Sequence, residues 1–152
     1  MIAGFRLSNW LLVSLSAVML AACGGSTMAP QQADLEAKQF PPPAPGKGAL
    51  YVYRSGWFGA ARALDVSLVG GATAALGPNR YIRIEGPPGP VQVDCRIGDK
   101  TGAAQIPIDD GQIRFVEASM TIGWWTPGCE VAEVPPNQGQ AAVRGSFRVE
   151  PQ

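Results

Sequence analysis

Three cysteines are the most chemically specific residues of this 152-residue chain. A thiol can carry a lipid as a thioether, or pair with a second thiol as a disulfide. Cys23 ends a run of small and apolar residues, while Cys95 and Cys129 lie deep in the chain. The next candidates are aromatic. Trp124-Trp125 stands directly before Thr126-Pro127-Gly128-Cys129, and Trp57-Phe58 follows Gly56. Adjacent residues on a strand point to opposite faces, so one ring of Trp124-Trp125 joins a core and the other faces outward. An outward ring suits stacking on a glycan or a peptide; it serves equally well as cover for a sheet edge. Trp57-Phe58 reads either as an exposed tip touching a membrane or partner, or as a lid folded over the domain end. Arg54, Arg62, Arg80 and Arg83 form an anion-binding face or scattered solvated charge balanced by Asp65 and Glu85.

Catalysis finds little to work with. The chain has no histidine, the commonest base near neutral pH and the commonest metal ligand. Asp109-Asp110-Gly111 is explained by the turn it makes, and Glu130 and Glu133 face opposite ways on one strand. Nucleophile-elbow, zincin, CxxC and phosphate-loop motifs are missing from the sequence. The three lysines, Lys38, Lys47 and Lys100, sit beside linker or turn residues. The reading is a non-enzyme without cofactor or metal. With 12 basic and 12 acidic residues, the chain lacks the positive field that nucleic acid requires.

The elements that position these residues begin with a targeting segment. Arg6 precedes the apolar run Trp10–Ala22, which is too short to span a bilayer comfortably. Leu20-Ala21-Ala22-Cys23 resembles a bacterial lipobox, in which the cysteine takes diacylglycerol and the preceding peptide is removed. Residues 1–22 are therefore expected to be a lipoprotein signal peptide. Gly24 follows the cysteine where an aspartate would favour the inner membrane. The expected address is the periplasmic side of a membrane, the outer one, with the bilayer as a partner through acylated Cys23.

Residues 23–47 read as the lipidated N-terminus and a flexible tether, with Pro41-Pro42-Pro43-Ala44-Pro45 extended and at most a turn or two of helix at Asp34–Phe40. Residues 48–152 then alternate with period two. Strands are expected at Leu50–Arg54, Leu64–Leu68, Asn79–Glu85 and Val91–Ile97, with a weak one at Ala72–Leu76. Others follow around Ile106 and Ile108, around Ile113 and Phe115, at Met120–Trp125, at Glu130–Val134 and at Val143–Val149, with Pro135-Pro136 cutting the chain between the last two. Short turns force antiparallel neighbours, and one-sided strands are buried by packing two sheets. The expected fold is an all-β, antiparallel two-sheet β-sandwich of immunoglobulin-like type. With Cys23 lipidated, Cys95 and Cys129 are the only thiols left, and export to an oxidising compartment favours their disulfide over two buried free thiols.

Three stretches, Gly48–Arg54, Phe58–Gly70 and Asn79–Gly89, resemble the uncharacterised bacterial lipoprotein domain family DUF2846, whose layout is PEGA-like. The resemblance implies a β-sandwich and a secreted location, and no catalytic residues. The expected function is a membrane-tethered envelope module, structural or protein-interacting, with an envelope protein as partner. The alternative is a binding module for a cell-wall glycan or small amphiphile, using Trp124 and Trp125.

Overall fold

The computed structural model describes residues 26–68, 70–123 and 125–152. Its strands in chain order are β1 (Gly48–Arg54), β2 (Leu64–Leu68), β3 (Thr73–Leu76), β4 (Arg80–Gly86), β5 (Gly89–Ile97), β6 (Lys100–Ile108), β7 (Ile113–Thr121), β8 (Gly128–Val134) and β9 (Phe147–Arg148). Two helices join them, α1 (Gln31–Ala37) before β1 and α2 (Pro136–Arg144) before β9. One sheet has the order β8-β7-β1-β4-β9 and the other β3-β2-β5-β6.

Period-two alternation builds the interface between the sheets. Leu64, Val66 and Leu68 of β2 and Val93, Cys95 and Ile97 of β5 meet Leu50, Val52, Ile82 and Val116 from the other sheet, all buried. Cys95 on β5 is disulfide-bonded to Cys129 on β8, with Cα atoms 6.2 Å apart, so the bond ties one sheet to the other. Its loop of 34 positions is worth about 3–4 kcal/mol in the chain-entropy model. Gly102, opposite Cys95 in the β5–β6 register, lets the two sheets close there. A Cβ at residue 102 would stand 2.3 Å from the Cys129 carbonyl oxygen.

The expectation of an all-β antiparallel sandwich is overturned in two ways. The four-stranded sheet is antiparallel throughout, but in the five-stranded sheet β1 pairs parallel with β7 and β4 parallel with β9. The consecutive strands that pair, β2–β3, β5–β6 and β7–β8, do so antiparallel, while the short turns after β3, β4 and β6 carry the chain from one sheet to the other. β1 and β7 are not consecutive, and the chain between them, most of it the second sheet, serves as the crossover that a parallel pair needs. The second departure is the helices, which make the fold a mixed α/β one.

The helices exist because the five-stranded sheet is apolar on both faces. Tyr51, Tyr53, Tyr81 and Phe115 point away from the inter-sheet core and form a second buried cluster with Ala37, Val143 and Phe40. So much aromatic surface is not left in water. Every residue of β1 is buried, as suits a central strand covered on both faces. Burial raises the pKa of all three tyrosines, that of Tyr53 to about 12 with help from the Glu117 charge, so their hydroxyls stay protonated donors. α2 starts at the Pro135-Pro136 pair expected to stop a strand, because proline is pre-set for the first helical position. It claims Val143, expected in the closing strand, and leaves only Phe147–Arg148 to pair as β9. Gly139 lets α2 lie directly on Phe115, since a Cβ there would stand 2.3 Å from that side chain.

The flexible tether expected over residues 23–47 is, from residue 26 on, part of the packed body. Its prolines and short helix do not float, because the aromatic face gives them a surface to cover. Phe40 packs edge-on against Tyr51 and Phe115 at 5.5 and 5.6 Å between ring centroids. The Tyr51 hydroxyl donates to the Ala37 carbonyl at 2.7 Å. Buried Asp34 accepts hydrogen bonds from the Tyr81 hydroxyl and the Arg148 backbone N–H, both at 2.9 Å, and pairs with Lys38 at 2.8 Å. Burial alone would raise the Asp34 pKa; the hydrogen bonds from Lys38, Tyr81 and Arg148 and the Lys38 charge outweigh it and hold the carboxyl below its usual value. Before α1, Met28 bridges antiparallel to Val149, and the Ala75 N–H donates to Ser26 Oγ at 2.7 Å. Cys23 and the signal segment lie outside the described residues.

Candidate functional site

The strand ends that bear Arg54, Arg80, Thr121, Gly128 and Phe147 all lie at one end of the five-stranded sheet, as the pairing registers require. Two loops cover that end, residues 55–63 between β1 and β2, and 122–127 between β7 and β8. The first is held from beneath by Arg54, which is 1% exposed. Its Nη1 donates to the carbonyls of Arg62 and Leu76 at 2.6 and 3.0 Å, and its Nη2 to those of Phe58 and Gly59 at 2.8 and 3.0 Å. Nη2 also touches Met120 Sδ at 3.3 Å, so one side chain gathers β1, β3, β7 and the first loop. Burial lowers the Arg54 pKa, but a guanidinium remains charged in proteins. The loop turns through Gly56 and Gly59, both with positive φ (75° and 66°) that glycine adopts without steric cost. Ser55 Oγ donates to the Glu117 carboxylate at its start.

With its backbone pinned, the loop holds Trp57 and Phe58 in solvent at 74% and 56% exposure. They form a tip and not a lid. The opposite loop contributes Ile122 at 82% and Trp125 at 95%. The strand expected at Met120–Trp125 stops at Thr121, where β7 ends. A tight turn follows in which a Cβ on Gly123 would stand 2.3 Å from the Thr126 carbonyl oxygen, so Trp125 is carried clear of any sheet face. Trp124 lies outside the described residues. Between the loops is a shallow recess of about 400 Å³ lined by Phe58, Ala61, Arg62, Met120, Ile122 and Trp125. Among the described residues that line it, Arg62 is the only charged one.

The other candidates do not converge. Arg54 is buried among carbonyls, and Arg83 is held by Glu85 at 2.6 Å and by the Tyr51 hydroxyl at 3.0 Å. Arg62 is exposed at the loop, and Arg80 lies over the Phe147 ring at 5.3 Å. The four arginines therefore form no common anion face. Asp109 and Asp110 make the β6–β7 turn, and Glu133 pairs with Arg114 at 2.9 Å. Among the described residues no three His, Cys, Asp or Glu side chains gather as a metal site. A trough of about 690 Å³ crosses the outer face of the four-stranded sheet, where Asp65 and Arg96 pair at 3.3 Å. An apolar slot of about 440 Å³ opens between the sheets at the far end, beside Leu68, Ile84, Val91 and Pro88.

Sequence reasoning missed Asp34 and the role of Arg54. The apolar residues on both faces of Leu50–Tyr53 were the available signal for a third layer; no residue type signalled the burial of Arg54. Comparison of the chain with protein-family models, with curated proteins and with solved structures finds no match, so the likeness to DUF2846 rests on the quoted residues alone.

Proposed function

We propose that the chain is a membrane-tethered envelope lipoprotein, held through acylated Cys23 on the periplasmic side of the outer membrane, and that it works as a non-catalytic interaction module. The observation that carries this reading is the rim. Trp57, Phe58, Ile122 and Trp125 are presented together at one end, on a fold whose other large apolar side chains are mostly buried. Exposed apolar clusters of this kind mark interaction sites. The glycan or amphiphile alternative requires a concave pocket with converging polar groups. The recess beside Trp125 is shallow and offers one charged side chain, which favours the interaction reading.

Oxidative footprinting tests it. Trp57 and Trp125 should label strongly in the purified protein and be protected in intact cells. Equal labelling in both settings would mean that the rim has no occupant and would remove the reading.

A further inference from the structure

We infer that the occupant of the rim is the bilayer itself: the domain lies directly on the membrane to which it is anchored, with Trp57, Phe58, Ile122 and Trp125 in the interfacial layer. The inference rests on the lipid-anchored reading above and names the partner of the same site.

The chain that precedes the described residues joins the domain at Ser26. A tether over residues 23–47, extended at about 3 Å per residue, would hold the domain several nanometres off the surface. The fold consumes that length. From residue 26 onward the segment is fastened down, by Ser26 to β3, Met28 to Val149, and Asp34 to Tyr81 and Arg148. Three links separate Cys23 from Ser26 in the sequence, a span of at most about 11 Å. A lipid on Cys23 would therefore keep the β3 edge close to the headgroups.

That edge adjoins the rim. Ser26 takes the N–H of Ala75, the next carbonyl, Leu76, takes Arg54 Nη1, and Nη2 of the same guanidinium holds the Phe58 carbonyl. A short series of hydrogen bonds leads from the point of attachment to the exposed aromatics. Across the same end of the five-stranded sheet, Phe147 is also exposed, flanked by Lys38 and Arg80 at 5.2 and 5.3 Å from its ring. Among the described residues, five of the seven exposed large hydrophobic side chains thus share one end, which sets the orientation. Tryptophan favours the membrane–water interface, where its ring is apolar and its N–H stays wet. Arg62 and Arg80 take part in no ion pair among the described residues and are free for lipid phosphates. A lipid anchor combined with a second interfacial contact is the arrangement that fixes a domain on a surface.

The test uses the processed full-length lipoprotein, its Cys23 modification checked by intact mass, reconstituted into vesicles of zwitterionic and anionic phospholipid. Single-tryptophan variants keep Trp57 or Trp125 and carry phenylalanine at the other tryptophan positions; circular dichroism confirms that each folds. Lipids brominated near the headgroup should quench each of these tryptophans at least twofold, with emission shifted to shorter wavelength. An Asp110→Trp variant, whose new ring is at the opposite end and whose native tryptophans are replaced by phenylalanine, should stay unquenched. If Trp57 and Trp125 are unquenched while Cys23 carries lipid, the inference is overturned and the anchored module stands, its rim then belonging to a protein or a second copy. Equal quenching of all three variants would also overturn it, since the domain would have no fixed orientation. An unmodified Cys23 would overturn the anchoring reading and this inference with it.

Discussion

A guanidinium has five N–H donors and no acceptor, so a buried arginine needs oxygen atoms around it. Arg54 finds four carbonyls and no carboxylate among its partners. Replacing it with methionine fills part of the space and removes every donor, leaving those carbonyls to be partly resolvated. Arg54→Met should destabilise the fold by about 2–4 kcal/mol, and Arg54→Lys by less because some donors remain. Chemical denaturation measures both, and a methionine variant as stable as the parent would dismiss the pinning role. The sequence shows Arg54 only as the last residue of an apolar strand. Its burial follows from loop carbonyls arriving from residues 58, 59, 62 and 76, and this convergence cannot be read from residue types. Cys95 and Cys129 were more legible, since two thiols allow one pairing and Cys95 shares an inward face with Val93 and Ile97.

Among the elements, the strands with clear alternation were readable, α1 only as a turn or two of helix at Asp34–Phe40, and α2 not at all. α1 and α2 are 7 and 9 residues long, too short for a 3.6-residue period to declare itself. Both owe their stability to packing on the aromatic face of the sheet. The parallel pairing of β1 with β7 was hidden for another reason, since turn chemistry reports on sequence neighbours and these strands are far apart in the chain. The docking of α1 and the segment after it relies on two carboxylates. Burial would raise the pKa of Glu85, but the Ala44 N–H and Arg83 lower it on balance, and Asp34 is lowered likewise. A carboxyl whose pKa is lower in the folded state contributes stability that is complete above its unfolded value and is lost as pH falls through the folded one. Hydrogen exchange across residues 31–47 should therefore be slow near neutral pH and rise, once corrected for intrinsic chemistry, below about pH 4 while the disulfide-tied sheets remain protected. Unchanged protection in acid would show that these carboxylates do not hold the segment.

At the scale of the whole molecule, three layers come from one sheet that is apolar on both faces and one that is apolar on a single face. The two-sheet core was legible in the period-two pattern of residues 50–116. The outer layer was not, because a proline-rich stretch with one short helix reads as solvated until the surface it covers is known. This difference changes the functional picture. A domain expected on a long stalk is instead fastened to its own N-terminal segment from Ser26 onward, with its exposed aromatics beside that point. Among the described residues no helix is long and apolar enough to cross a membrane; the attachment proposed is the lipid on Cys23. Intact-mass measurement of the protein extracted from membranes tests the claim most directly. The account predicts a chain beginning at Cys23 and heavier than its amino-acid sequence by a diacylglyceryl group and an acyl chain. A membrane-extracted chain with an unmodified Cys23 would contradict it.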